Sequence, residues 1–149
     1  MTEASTSPLP AAVQAILKNT GKGRDFISDH GFRNVTRDGV EGVEIKVRLT
    51  SYRSLPLSCI EGIILKIDGR EINTATVTIT VNQHDYQLAE LPPLSHVWWF
   101  ILEHATVFVP GKLAPGSHHL DGTLITVEPY VTAGRFSFYN SCSKQLQLT

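Results

Sequence analysis

Residues 43–72 read VEIKVRLTSYRSLPLSCIEGIILKIDGREI, and the fold class follows from this stretch. Val43, Ile45, Val47 and Leu49 alternate with Glu44, Lys46 and Arg48. Successive side chains of a strand point to opposite faces, so this segment predicts a half-buried antiparallel strand with an apolar and a charged side. The pattern then breaks into TSYRSLPLSC, where a Tyr–Arg pair and a proline interrupt any periodicity. A second strand follows, with Ile63, Leu65 and Ile67 on one face, running into Asp68–Gly69. Asp-Gly between such runs predicts a two-residue hairpin turn.

The same reading extends outward. Thr74–Val81 (TATVTITV) predicts a strand with Ala75, Val77, Ile79 and Val81 inward and threonines outward. Asn82–Asp85 predicts a turn, after which Tyr86–Leu88 pairs back. Residues 90–94 (ELPPL) form a loop, because proline is excluded from central strands. Val97–Ile101 and Ala105–Val109 are apolar runs, the second closed by Pro110–Gly111. His118–Glu128 predicts a long strand interrupted by a bulge or bend at Asp121–Gly122. Arg135–Tyr139 and Gln145–Leu148 supply the last alternating pieces. About seven to nine short strands with frequent turns imply an all-β, two-sheet antiparallel β-sandwich, with jelly-roll and immunoglobulin-like topologies equally open. Residues 1–30 differ: Ala11–Lys18 can form a short helix with Val13, Ile16 and Leu17 on one side, or the segment is a mobile arm. The expected division is an N-terminal extension over 1–30 and a sandwich over 31–149.

The 149 residues suffice for a single core, and 42% hydrophobic content is that of a globular domain. Thirteen basic residues nearly cancel fourteen acidic ones, so neither a nucleic-acid stripe nor a basic membrane patch is expected. No apolar run approaches the roughly 18–20 residues of a membrane-spanning helix. No basic region precedes the apolar stretch near the N-terminus, so a cytoplasmic location is expected, with Cys59 and Cys142 as thiols.

The chemistry-bearing residues do not assemble into an obvious active site. His118 and His119 are adjacent, so on a strand they point to opposite faces and cannot share one ion. His84 falls in the NQHD turn, and His96 and His104 lie eight residues apart. Cys59 lacks a visible base or helix N-terminus to activate it and reads as a packing residue. No catalytic residue, metal ligand or cofactor is expected in this chain. What stands out is a set of interface-type residues. Trp98 and Trp99 are neighbours, so one enters the core and the other stays outside unless something covers it. Tyr52 and Arg53 offer a rigid aromatic and a fork of donors in an aperiodic loop. Tyr52, Arg53, Leu55, Leu57, Trp98 and Trp99 are therefore the expected subunit-interface or pocket-wall residues.

Val47-Arg48-Leu49, Tyr52-Arg53, Leu55-Pro56-Leu57-Ser58-Cys59-Ile60-Glu61 and Ile67-Asp68-Gly69 carry a resemblance. The segment resembles the β subunit of the bacterial C-deglycosylation enzymes, most specifically from Glu44 to Ile72. The resemblance implies a β-sandwich bound to a larger TIM-barrel α subunit. That subunit would hold a divalent metal (Mn or Mg) and the acid–base residues. It further implies a lyase that cleaves the C–C bond between a sugar, already oxidised to its 3-keto form, and an aromatic aglycone such as a flavonoid. Two other readings stay open: a stand-alone carbohydrate- or polyphenol-binding sandwich, and a stand-alone enzyme with a cryptic histidine site.

Overall fold

In the structure, a computed structural model describing residues 25–50, 53–127 and 137–148, the Val43 alternation becomes strand β2 (Val40–Val47). Val43, Ile45 and Val47 are buried on its inner side, with Leu49 continuing the row. β2 is reached from β1 (Arg33–Arg37) through Asp38 (φ 48°) and Gly39 (φ 80°), a left-handed pair that matches strand twist. The predicted turn at Asp68–Gly69 forms in the same way (φ 53° and 81°), joining β4 (Ile60–Ile67) to β5 (Arg70–Glu71). Between β2 and β4 lies β3 (Leu55–Pro56). A third such pair, Asn82–Gln83, joins β6 (Thr78–Val81) to β7 (His84–Gln87). β8 (Trp98–Trp99), β9 (Ala105–Pro110), β10 (Gly116–Val127) and β11 (Ser137–Leu148) complete the chain.

The strands make a five-stranded sheet (β1-β2-β9-β6-β7), a four-stranded sheet (β11-β10-β4-β5) and a small pair, β3-β8. Every pairing is antiparallel. Val43, Ile45, Ile79 and Val107 from the first sheet and Leu65, Ile67, Leu120 and Leu124 from the second belong to one buried cluster. This is the two-sheet antiparallel β-sandwich that the alternation implies.

Several expectations are corrected. The Thr74–Val81 strand begins only at Thr78. Asn73 caps a 3-10 turn over Thr74–Thr76 by accepting from the Ala75 N–H (3.0 Å), which leaves Ala75 exposed. Short polar side chains that bond to nearby backbone compete with sheet pairing in this way. His84 lies in β7, not in the turn. Asp121–Gly122 is neither bulge nor bend: β10 runs straight through it, and the register shift falls between Ile125 and Thr126. Gly122 is there for space, since a Cβ would lie 2.8 Å from the Ile27 Cδ1 and 3.0 Å from the Phe26 ring. Phe26 and Ile27, within the stretch expected to be an extension, are 1% and 0% exposed, and Ser28 N–H and Phe26 C=O bond to Lys46 and Arg48 (both 2.9 Å). The helix expected over Ala11–Lys18 lies outside the described residues.

The charged side of β2 is not a water-facing surface. Glu44 is buried, bonded by Arg33 Nε (3.1 Å) from one side and Arg37 Nη2 (3.0 Å) from the other. Arg37 also lies over the Phe108 ring (5.1 Å) and donates to Thr80 Oγ1 (3.3 Å). Burial pushes the Glu44 carboxyl up, but the bonds from Arg37 and Arg33 outweigh it and hold its pKa below the usual value.

Candidate functional site

The β3–β8 pair builds the most distinctive surface of the chain. Leu55 faces Trp99 and Pro56 faces Trp98 across it. Leu57 N–H to Val97 C=O (2.8 Å) and Ser58 N–H to Leu94 C=O (3.1 Å) extend the pairing into the proline loop. A two-stranded ribbon needs an anchor, and its inward side chains supply one: Leu55, Leu57 and Trp99 are all 0% exposed. These three expected interface residues are therefore core residues, with no surface to offer a partner. Leu55 and Trp99 are buried from the paired strands and Leu57 from the 3-10 turn that follows β3, which the irregular loop sequence did not reveal. Arg53 is exposed beside the ribbon, while Tyr52 lies outside the described residues. Trp98 keeps 39% of its surface exposed. The two tryptophans part as expected, Trp99 inward and Trp98 outward.

Two residues missed at first complete this surface. Phe100 and Leu102 follow Trp98 at two-residue spacing and are 50% and 81% exposed. Only Trp98 owes its exposure to strand alternation; Phe100 and Leu102 lie in the turn closed by the Glu103 N–H bond to the Phe100 C=O (2.9 Å). Trp99 Nε1 donates to the Glu103 C=O (2.9 Å) and Ile101 N–H to Ser54 Oγ (2.7 Å), so the backbone between them is held. One carboxylate oxygen of Glu103 is shut off from solvent without a hydrogen-bond partner among the described residues.

Beside the ribbon, a groove of about 430 Å³ is lined by Ser58, Ile60, Glu61, Leu88, Pro92, Ile125 and Tyr139. The Glu61 carboxylate accepts from the Ser137 hydroxyl at its edge, and Tyr139 is 49% exposed. On the outer face of the four-stranded sheet, Ile64, Lys66, Asp121 and Thr123 line a second depression of about 370 Å³.

His118 and His119 are engaged with neighbouring acceptors. His118 Nδ1 meets Asp68 Oδ2 at 2.6 Å and its Nε2 meets the Ala114 C=O at 2.7 Å. His119 contacts Gln145 Oε1 (3.2 Å) and Asp121 Oδ1 (3.3 Å). No group of three or more His, Cys, Asp or Glu among the described residues is placed to hold a metal ion. Cys59 is buried in the 3-10 turn Leu57–Cys59, and the Cys142 Sγ accepts from the Ile27 N–H (3.4 Å). Burial raises the Cys142 pKa above its ordinary value, the opposite of an activated thiolate. The described part of this chain thus presents a surface and a groove, without a self-contained constellation of base, nucleophile or metal. Among those residues no helix is long and apolar enough to cross a membrane.

Residues 23–130 match the family of C-glycoside deglycosidase beta subunits. The chain is 38% identical over 91 residues to the 3'-dehydrocarminate deglycosidase beta subunit of a Microbacterium species, covering 60% of this chain and 69% of the relative. It is 40% identical over 83 residues to a C-glycoside deglycosidase beta subunit of Arthrobacter globiformis (56% and 61% covered). A third, from Eubacterium cellulosolvens, is 34% identical over 101 residues (65% and 69% covered). The chain therefore belongs to the C-glycoside deglycosidase beta-subunit family, whose members are subunits of deglycosylation enzymes.

Proposed function

We propose that this chain is the small subunit of a carbon–carbon lyase that releases an aromatic aglycone from a C-glycoside whose sugar carries a 3-keto group. The observation that carries the reading is the family match over residues 23–130, joined to a relative named for a 3'-dehydro substrate. The partner is a larger TIM-barrel α subunit that holds the acid–base groups and a divalent metal, Mn or Mg. A ketone acidifies the adjacent sugar C–H. A base removes that proton, and the enolate collapses by expelling the aromatic carbon, which takes up a proton. The sugar is left as an unsaturated ketone. Such a step needs a positioned base and an electrophile on the keto oxygen.

The β subunit's part is to position. Arg53 and Trp98 contribute to the subunit contact or to a wall of the aglycone pocket. A displacement of about 1 Å in loops that orient a substrate can cost roughly a hundredfold in rate. Loss of this subunit would then abolish turnover without removing a catalytic group.

The test is aglycone release from an oxidised C-glucoside by each subunit alone and by both mixed. Turnover is expected from the mixture alone. Comparable turnover by this chain by itself would overturn the reading. The groove beside Tyr139 favours one alternative, a stand-alone sandwich that binds a polyphenol. It predicts calorimetric binding of a free flavonoid aglycone to this chain without any partner, lost in Tyr139→Ala.

A further inference from the structure

Trp98 at the end of β8 and Phe100 and Leu102 in the turn that follows it are half of the six large hydrophobic residues exposed among the described residues. The other three, Val40, Ile64 and Tyr139, are spread over β2, β4 and β11. The stretch from Trp98 to Leu102 is fixed by the fully buried Trp99, by the Ile101 N–H bond to Ser54 and by the Glu103 N–H bond to the Phe100 C=O (2.9 Å). The three side chains are thus displayed on backbone that has little freedom left to lose on binding. From their exposures they offer on the order of 300 Å² of apolar surface, enough for the centre of an interface of about 800 Å² per partner.

We propose that the Trp98–Leu102 ridge seats in an apolar recess of the α subunit, with Phe100 and Leu102 carrying most of the association. This deepens the reading of the chain as one member of a two-subunit deglycosidase and rests on it. The occupant follows from family and shape. A beta subunit works beside an α partner, and apolar side chains as exposed as Phe100 and Leu102 on a held turn call for an apolar surface that closes around them. Against the same ridge of a second copy, knob would meet knob. Against any other surface of a second copy, the contact would be head-to-tail and would propagate into open chains unless its rotation closed a ring. The three exposed side chains carry no charge, so burial of apolar surface drives this part of the contact.

The experiment is association of the full chain with its α subunit, measured by titration calorimetry for wild type, Leu102→Asp, Phe100→Ser and the distant surface control Val40→Asp. Thermal unfolding of each variant verifies its fold. Both ridge variants are expected to unfold like wild type and to bind at least tenfold more weakly, with Leu102→Asp the weaker. Val40→Asp is expected to stay within twofold of wild type. If wild type binds the α subunit and the folded ridge variants bind equally well, the ridge assignment fails while the two-subunit reading stands. If wild type does not bind the α subunit, the underlying reading fails and the ridge assignment with it. If wild type self-associates and Leu102→Asp abolishes this, the occupant is a second copy and the proposal is overturned.

Discussion

His118 and Asp68 form an ion pair across the end of the four-stranded sheet, with Nδ1 and Oδ2 2.6 Å apart. The other ring nitrogen faces the Ala114 carbonyl at 2.7 Å. A neutral imidazole has one N–H, yet both partners are acceptors, so this geometry belongs to the imidazolium. The Ala114 carbonyl first and then Asp68 raise the His118 pKa above 6.5, against the desolvation that lowers it. Asp68 is lowered chiefly by the bond from His118, then by the His119 N–H (2.9 Å). His118 also meets the Phe32 ring edge-on (centroids 6.1 Å apart), which links the hairpin, the loop at Ala114 and the lead into β1.

The sign of the pH dependence follows. A histidine with a raised folded pKa contributes stability that is complete below its unfolded value and is lost as pH rises through the folded one. The Asp68 contribution, lowered in the fold, is lost only as pH falls through its acidic folded pKa. The stability gap between wild type and His118→Gln should therefore shrink as pH rises from below the ordinary histidine value of 6.5 through the raised folded pKa. Denaturant melts at several pH values measure it. A gap constant across that range would sink the assignment of the charged form.

Gly122→Ala should destabilise the fold by about 1–3 kcal/mol, since it forces an extra carbon into a packed interior. The new Cβ would lie 2.8 Å from Ile27 and 3.0 Å from Phe26, both fully buried. Ile27→Val, which shortens the colliding side chain, should recover part of the loss in the double variant. Strict additivity of the two changes would contradict the contact.

Arg37→Ala should cost about 1–3 kcal/mol by leaving the buried Glu44 short of a charged partner. In an Arg37→Ala background, Glu44→Gln should then cost much less than it does in wild type. Urea unfolding of the four proteins gives the coupling, and a coupling of zero would show that the pair acts independently.

Cys142 should react slowly with a thiol reagent in the folded protein at neutral pH, because burial raises its pKa. Under denaturing, non-reducing conditions both Cys59 and Cys142 should titrate as thiols. Detection of one disulfide per chain would refute this.

What the sequence determined by itself was local. The β2 and β4 alternations, the Asp68–Gly69 turn and the division of Trp98 from Trp99 all survive, because pleat parity and left-handed turn positions depend on a few adjacent residues. Family membership, too, was legible in the Glu44–Ile72 segment. Tertiary structure alone decided what covers each face. Glu44 looked solvent-facing, yet arginines from β1 enclose it and Phe108 of β9 neighbours it across the ladder. Leu55 and Leu57 looked like loop residues for a partner, yet Leu55 pairs with Trp99, Leu57 bonds to Val97 just before it, and both side chains are buried in the core. Phe26 and Ile27 looked like part of an extension, yet they fill the space that Gly122 leaves on β10. Glu44 depends on arginines seven and eleven positions back and the other cases on residues tens of positions away, so burial is a property of that neighbourhood and not of the side chain that undergoes it.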